Sequence, residues 1–155
     1  MPFKTILAPT DFSEPCLNAT DLAVEMAIKY ESALVIVHTC ELPSSSYPGM
    51  ALDLVDLLSY IETAAKQALE KELVRVRAKW PRATGLLKTG VVWQEILAAI
   101  EATKADLVVM STSGRHGVAH LLLGSVAEKI VRTSPVPVLT LRAAQYQARP
   151  KPALP

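Results

Sequence analysis

Two short segments of the sequence combine small and polar residues in a way that suits the binding of a charged ligand. One is Ala8-Pro9-Thr10-Asp11-Phe12-Ser13, and the other runs from Met110 to Gly124-Ser125. Small residues let a backbone come close to a ligand, so that successive N–H groups can converge on an anion. Gly124-Ser125 opens a helical pattern whose unpaired amides and dipole attract negative charge, and Ser125 adds a hydroxyl donor. The second segment therefore predicts a phosphate-binding site.

The glycines of this segment have two interpretations. Gly114, Gly117 and Gly124 all permit positive φ, which a phosphate-binding turn uses. The lysine-bearing GxxxxGK[ST] pattern is missing, so the segment is not a P-loop. Taken singly, Gly114 and Gly117 are ordinary loop glycines, and Gly124-Ser125 is a helix cap. Their combination after a buried strand favours the phosphate site.

Asp11 supplies the chemistry of the first segment. A carboxylate just past the first strand of an α/β sheet can accept hydrogen bonds from ribose hydroxyls. The simpler alternative is that Asp11 caps the following helix and that Thr10 only satisfies a turn. The sequence alone leaves both alternatives open.

The elements that must position these segments alternate between apolar runs and helical periodicity. Strands are predicted at 3–8, with Pro9 ending the first, and at 33–38, 84–88, 106–110 and 136–141. Helices are predicted from Ser13 as N-cap, over about 53–79, over 93–103 and over 125–133. Continuous apolar strands such as ALVIVH are typical of parallel strands covered on both faces. We therefore predict the α/β class, with a single doubly wound five-stranded parallel sheet, Rossmann-like, and helices on both faces.

Ligands of such open sheets bind at the carboxyl ends of the strands, where the strand order reverses. The two segments follow the first and the fourth predicted strands. If these strands are neighbours, both segments line one crevice. That adjacency is an assumption from topology.

Composition bounds the class of protein. The 155 residues fit one domain, half of them are hydrophobic, and the formal charge is +1, which points to neither nucleic acid nor a membrane surface as a partner. From Arg115 onward six basic residues face one acidic residue, a bias that a solvated basic tail also explains. We see neither a signal-peptide pattern nor an apolar run of roughly 20 residues, and expect a cytoplasmic protein. Cys16 and Cys40 lack metal-ligand spacing and are expected to be small buried residues.

Residues 41–50 and 143–155 stand apart from these elements. The first range holds prolines, serines and a glycine and is predicted to be a loop. The second is proline-rich with little to bury, and is predicted to be a disordered tail. The folded domain is accordingly predicted to span residues 1–142.

The stretches ILAPTDFSE and DLVVMSTSGRHGVAHLLLGSVAEKIVRTSPVPVLTL carry a resemblance to a known family. Over about residues 3–142 the chain resembles the universal stress proteins, of the UspA type. The ATP-binding branch of that family carries G-x₂-G-x₉-G-[ST]. Here nine residues separate Gly114 from Gly124-Ser125, while Ser111 takes the place of the first glycine. Serine keeps close backbone approach but makes positive φ less comfortable. A second departure is Val92-Trp93, where the family often has a proline, and Trp93 is expected to pack rather than to contact a ligand.

The resemblance implies a role for each matching residue. Asp11 would bind the ribose, and Thr39, where the family often has valine, would hold the adenine through its backbone. The other residues at the nucleoside would be Pro9, Thr10, Met110 and Ser111. The residues around the phosphates would be Gly114, Arg115, Gly124, Ser125 and Val126.

The function implied is an ATP-binding, dimeric, nucleotide-dependent regulator of a stress response. The cofactor would be ATP, with Mg²⁺ (or Mn²⁺) carried by its phosphates. The homodimer would form through the last strand, Val136 to Leu141, and a further protein partner of unknown identity is expected.

Two alternatives stay open. One is a slow ATP hydrolase or adenylate-transferring enzyme that uses His116, whereas His120 is expected to pack or cap. The other is a stress-response interaction protein that binds no nucleotide, an alternative that Ser111 supports.

Overall fold

The computed structural model describes residues 3–41, 51–113 and 123–142, without the side chains of 51–54. Within these residues strands and helices alternate: β1 (Thr5–Pro9), α1 (Glu14–Tyr30), β2 (Ala33–Cys40), α2 (Ala51–Arg77), β3 (Ala83–Thr89), α3 (Val92–Thr103), β4 (Leu107–Ser111), α4 (Ser125–Thr133) and β5 (Val138–Leu141). The predicted loop from residue 42 onward and the predicted tail at 143–155 lie outside the described residues.

The five strands form one parallel sheet in the order β3-β2-β1-β4-β5. The predicted fold class is therefore confirmed. The assumed adjacency of the first and fourth strands is also confirmed, because Ile6 pairs with Leu107 and Leu7 with Val108. The carboxylate of Asp106 fixes the start of this pair by accepting the amides of Lys4 (2.8 Å) and Thr5 (3.1 Å). The strand order reverses between β1 and β4, so a crevice is expected at their carboxyl ends.

Each face of the sheet carries two helices. Alternate strand side chains point to opposite faces, so Ile6 and Ala8 of β1 pack with α1 and α2, whereas Leu7 packs with α3 and α4. The α1–α2 face is also joined by polar groups. The Arg75 guanidinium of α2 binds the buried Glu72 (2.7 Å) and reaches Asp21 of α1 (2.6 Å). The hydrogen bonds to Glu72 raise the pKa of Arg75, so the guanidinium stays charged.

Pro9 was predicted to end the first strand but forms its last residue, in register with Val37. The Thr5 carbonyl accepts the Asp106 amide on the β4 side, and the Thr10 amide donates to Val37 on the β2 side. By alternation, Pro9 faces the β4 side, beyond the last β1–β4 pair. Its missing N–H therefore removes no ladder bond, which is why β1 tolerates it there.

Other strand ends differ from the prediction by one or two residues, as at β1, which begins at Thr5, and β3, which spans Ala83–Thr89. β2 continues to Cys40 and β4 to Ser111, because neighbouring strands pair with them there. β5 begins at Val138 rather than Val136. The Ser134 hydroxyl accepts the amide of Val136 (3.2 Å) and donates to its carbonyl (2.8 Å), which holds Val136 in a turn.

Candidate functional site

A cavity of about 730 Å³ opens at the carboxyl ends of β1, β2 and β4, where the strand order reverses. Its size lies within the ordinary range for small-molecule sites, roughly 300–1,000 Å³. Every predicted site residue in the described part of the chain lines it: Pro9, Thr10, Asp11, Thr39, Met110, Ser111, Gly124, Ser125 and Val126. The predicted Gly114 and Arg115, together with His116, Gly117 and His120, lie outside the described residues.

The β1–α1 turn, residues 10–13, forms one wall of the cavity. Thr10 Oγ1 accepts the amide of Phe12 (3.0 Å), and Asp11 Oδ1 accepts the amide of Ser13 (2.9 Å). Ser13 is the N-cap of α1, as predicted, but its hydroxyl makes no capping bond. Asp11 therefore has the local capping role that the sequence offered as its alternative. A carboxylate has about four acceptor sites, so the bond to the Ser13 amide is compatible with a second role toward a ligand.

Thr39 brings backbone groups to the far end of the cavity. It was predicted just past the second strand but lies within β2, in register with Lys88. The Val37 carbonyl faces β1, where it accepts the amide of Thr10, and the Cys40 carbonyl faces β3, where it accepts the amide of Gly90. Alternation therefore turns the N–H and C=O of Thr39 toward the side of β1. Since β1 ends at Pro9, opposite Val37, these two groups face the cavity beyond the end of that strand.

Gly124 closes the segment between β4 and α4. Its amide donates to the Thr112 carbonyl at 2.6 Å, so the two ends of that segment are held together. The sequence suggested that Gly124 serves through positive φ, but its φ is −71°. The reason for glycine is close approach instead, because a Cβ built here would lie 3.0 Å from the Thr112 carbonyl oxygen. This carbonyl and Gly124 both belong to residues of the cavity wall.

The start of α4 faces the cavity with backbone donors. The first amides of a helix have no acceptor within the helix. Here they belong to Ser125, Val126 and Ala127, which all line the cavity, whereas the Glu128 amide already donates to the Gly124 carbonyl (2.8 Å). Ser125 is exposed, so its hydroxyl is accessible as well. This arrangement is suited to an anionic group.

Ser111 stands where the ATP-binding branch has glycine, and the structure removes the backbone objection to it. It is the last residue of β4, and the positive-φ residues other than glycine in the described ranges are Phe12, Glu31 and Lys104. Serine therefore carries no conformational penalty at this position. Its Oγ accepts the amide of Ser113 (3.2 Å), which shapes the exit from the strand.

Several lining residues were missed by sequence reasoning. The outer wall consists of small and aliphatic side chains of α2, with Ile96 of α3 opposite: Ile61, Ala64, Ala65 and Ala68. Helical periodicity indicated an apolar face on α2, but which part of that face meets a cavity depends on the sheet order. Trp93 packs against the α3–α4 core, with Lys129 Nζ 5.2 Å from its ring centroid, which agrees with its predicted packing role.

Cys16 and His38 also line the cavity and were not predicted there. Both cysteines are buried, as expected. Burial raises the pKa of the Cys16 thiol to about 11, so at neutral pH it is a protonated, unreactive wall residue. His38 lies beneath the β1–α1 turn, and its Nδ1 is 2.8 Å from the Thr10 carbonyl oxygen. No local sequence pattern links His38 to Thr10.

The charges on the described cavity wall are those of Asp11 and Glu41, and no lysine or arginine belongs to it. In the three described ranges, no group of three or more His, Cys, Asp or Glu side chains could hold a metal ion. The same ranges contain no helix that is both long and apolar enough to cross a membrane. The groups on this wall that could donate to an anion are therefore backbone amides and hydroxyls such as that of Ser125.

Comparison with known proteins places this geometry in a family. The universal stress protein family model matches residues 2–142. A universal stress protein of Thermus aquaticus is 37% identical over 145 residues, which cover 90% of this chain and 99% of that protein. The structure of UspA from Lactobacillus plantarum is similar with a TM-score of 0.83, at 22% identity, over 92% of this chain and 99% of that one.

Two further similar structures were determined with ligands. A universal stress protein in complex with cAMP is 24% identical, with a TM-score of 0.68 over 91% of this chain and 98% of that one. The Archaeoglobus fulgidus protein in complex with dAMP is 17% identical, with a TM-score of 0.64 over 90% of this chain and 98% of that one. At these identities the likeness concerns the fold. Because the family model spans nearly the whole chain and the Thermus protein is well above 30% identical, this chain belongs to the universal stress protein family.

Proposed function

We propose that this protein binds ATP and acts as a dimeric, nucleotide-dependent regulator of a stress response in the cytoplasm. The observation that carries the proposal is the single cavity in which the Thr39 backbone, the Asp11 carboxylate and the first amides of α4 meet. These groups match, in order, a base, a ribose and a phosphate chain.

The base end is supported by apolar walls and one pair of backbone groups. Ile61, Ala64 and Ala68 of α2 offer apolar surfaces, not fully buried, against which a flat base can pack. The Thr39 N–H suits N1 of adenine, and its C=O suits the N6 amino group. Guanine presents a donor at N1 and an acceptor at O6, so it would place a donor against the Thr39 N–H and an acceptor against the Thr39 C=O. Backbone recognition of this kind explains why threonine can replace the valine of the family.

The phosphate end is supported by the amides of Ser125, Val126 and Ala127, which follow the close approach of Gly124 to the Thr112 carbonyl. A helix start that offers several N–H groups is a general anion site. Mg²⁺ or Mn²⁺ would arrive with the nucleotide and neutralise part of the phosphate charge. The Ser125 hydroxyl adds a side-chain donor at the same place.

The nucleotide class also has support from similar proteins, since the two ligand complexes described above contain cAMP and dAMP. Both ligands are adenine nucleotides. Each carries one phosphate where ATP carries three. They therefore support the proposed base and ribose positions more directly than the proposed triphosphate position.

The dimer is proposed to form through β5, which is an edge strand of the sheet. Edge strands present backbone groups that can pair with another chain, and a two-fold pairing is self-complementary. Leu139 on this strand is 38% exposed, an apolar side chain that such a contact would cover. Nucleotide bound beside α4, which packs near β5, would then bias the surface offered to a protein partner.

The test begins with the purified protein, denatured so that any bound nucleotide is released and identified by mass spectrometry. Calorimetric titrations with ATP and GTP, each with Mg²⁺, then measure affinity, and ATP is expected to bind much more tightly. The proposal is wrong if no nucleotide is released and neither titration produces heat. Steady release of phosphate from ATP would favour the hydrolase. An intact dimer without a nucleotide-induced thermal shift would favour the interaction protein.

A further inference from the structure

His38 makes two contacts with the β1–α1 turn from below. It is half-buried in β2, and its ring lies on that of Phe12 with centroids 4.4 Å apart and a 41° angle between planes. Its Nδ1 is 2.8 Å from the Thr10 carbonyl oxygen. The residue thus contacts the turn on both sides of Asp11 in the chain, and it lines the same cavity.

The chemistry of the second contact fixes the protonation of the ring. A carbonyl oxygen only accepts hydrogen bonds, so Nδ1 must carry the proton and donate it. In a neutral imidazole the proton then resides on Nδ1 and not on Nε2. The tautomer of His38 is therefore a direct report on whether this bond exists.

The turn needs such support because its backbone is strained. Phe12 has a φ of +63°, a left-handed conformation that a bulky residue rarely adopts. Strain of this kind persists only where the surroundings impose it. The Phe12 amide bonded to Thr10 Oγ1, and the Phe12 ring on His38, supply part of that constraint. Asp11 lies between these two anchored residues, so its direction depends on them.

We propose that His38 is a positioning residue, which holds the β1–α1 turn so that the Asp11 carboxylate faces the ribose position. The proposal rests on the function proposed above, because it concerns how the same cavity recognises the ribose of its nucleotide. It predicts that His38 affects recognition of the ribose hydroxyls far more than recognition of the base or the phosphates.

The test compares two ligands on three proteins: the unmodified protein, His38→Leu and His38→Asn. Leucine fills similar space without a donor, whereas the asparagine amide can place a donor near the position of Nδ1. The ligands are ATP and 2′,3′-dideoxy-ATP. The unmodified protein is expected to prefer ATP by about tenfold to hundredfold, the range for hydrogen bonds to a charged acceptor. His38→Leu should reduce this preference to within about threefold while its affinity for dideoxy-ATP is kept, and His38→Asn should restore much of it.

Nitrogen-detected NMR of the imidazole supplies a readout that needs no nucleotide. At a pH where His38 is neutral, the Nδ1–H tautomer is expected. The inference is overturned by the Nε2–H tautomer, by an undiminished ATP preference in His38→Leu, or by equal binding of both ligands to the unmodified protein. Should no protein bind ATP, the proposed function fails, and the tautomer still decides whether His38 holds the turn. Should His38→Leu not fold, His38→Asn and the tautomer carry the test.

Discussion

Replacing Asp11 separates its two roles, because the two obvious variants remove different things. Asp11→Ala removes both the carboxylate and the oxygen that accepts the Ser13 amide at 2.9 Å. Asp11→Asn keeps an oxygen acceptor at the same position and removes only the charge. The pair therefore distinguishes the capping role, which the structure displays, from the proposed ribose role.

The stability of the two variants should differ by the capping bond. Loss of an N-terminal cap lowers the free energy of unfolding by about 0.5–2 kcal/mol, so Asp11→Ala should lose about 1 kcal/mol or more. Asp11→Asn should lose only the interaction of the charge with the start of α1, about 0.3–1 kcal/mol. Urea unfolding of the ligand-free protein measures both values.

The affinity for ATP tests the proposed ribose role of Asp11 separately from its effect on stability. A hydrogen bond to a charged acceptor is worth about 1–3 kcal/mol, so Asp11→Ala should raise the Kd about 5-fold to 150-fold. Asp11→Asn keeps a neutral acceptor, and its Kd should rise by about fivefold, near the lower end of that range. Calorimetry with Mg-ATP measures both.

Two results would refute the reasoning. If Asp11→Ala loses stability but binds ATP as tightly as the parent, Asp11 is a helix cap and nothing more. If Asp11→Asn unfolds as easily as Asp11→Ala, the bond to the Ser13 amide is not the source of the lost stability.

Three further perturbations test other parts of the structure. Gly124→Val should lower the free energy of unfolding by about 1–3 kcal/mol, since its Cβ would meet the Thr112 carbonyl at 3.0 Å. The same clash should displace the start of α4, whose amides line the cavity, and so abolish ATP binding; unchanged calorimetry would contradict this. The neutral Cys16 thiol, with its pKa raised from 9.0 to about 11, stabilises the fold below about pH 9, and this contribution is lost as the pH rises to about 11. Urea titrations between about pH 9 and pH 11 should therefore show a loss of unfolding free energy about 2–3 kcal/mol larger in the parent than in Cys16→Ala. An equal loss in the two proteins would exclude this contribution of Cys16. Glu72→Ala leaves Arg75 with only Asp21 and should lower the unfolding free energy by about 1–3 kcal/mol, against little change for the exposed Glu70→Ala.

The sheet was accessible to sequence reasoning because its strands are continuous apolar runs. ALVIVH and DLVVM indicated parallel strands without any knowledge of their partners. The strand ends were less accessible, since an end depends on which strand lies alongside. Pro9 continues β1 only because it faces away from β2, and Cys40 continues β2 only because Gly90 donates to it.

The candidate site likewise has residues that the sequence could identify and residues that it could not. Asp11, Gly124 and Ser125 were found because their chemistry is local, a carboxylate or a glycine beside a strand or a helix start. Of the two reasons offered for Gly124, positive φ was wrong, and the close approach to the Thr112 carbonyl was not visible in the sequence. His38 and the α2 wall were missed for the same cause, as their importance arises only when the sheet order is known.

The cavity is assembled from both ends of the chain, from the turn after β1 and from the helix before β5. During synthesis on the ribosome, a nascent chain that has emerged only through α3 lacks the part of the wall that comes from β4 and the start of α4. If the proposed nucleotide binds here, its binding is a late event in biogenesis that depends on the folding of β4 and α4. A truncated product without α4 should be unable to compete with intact protein for the same metabolite pool.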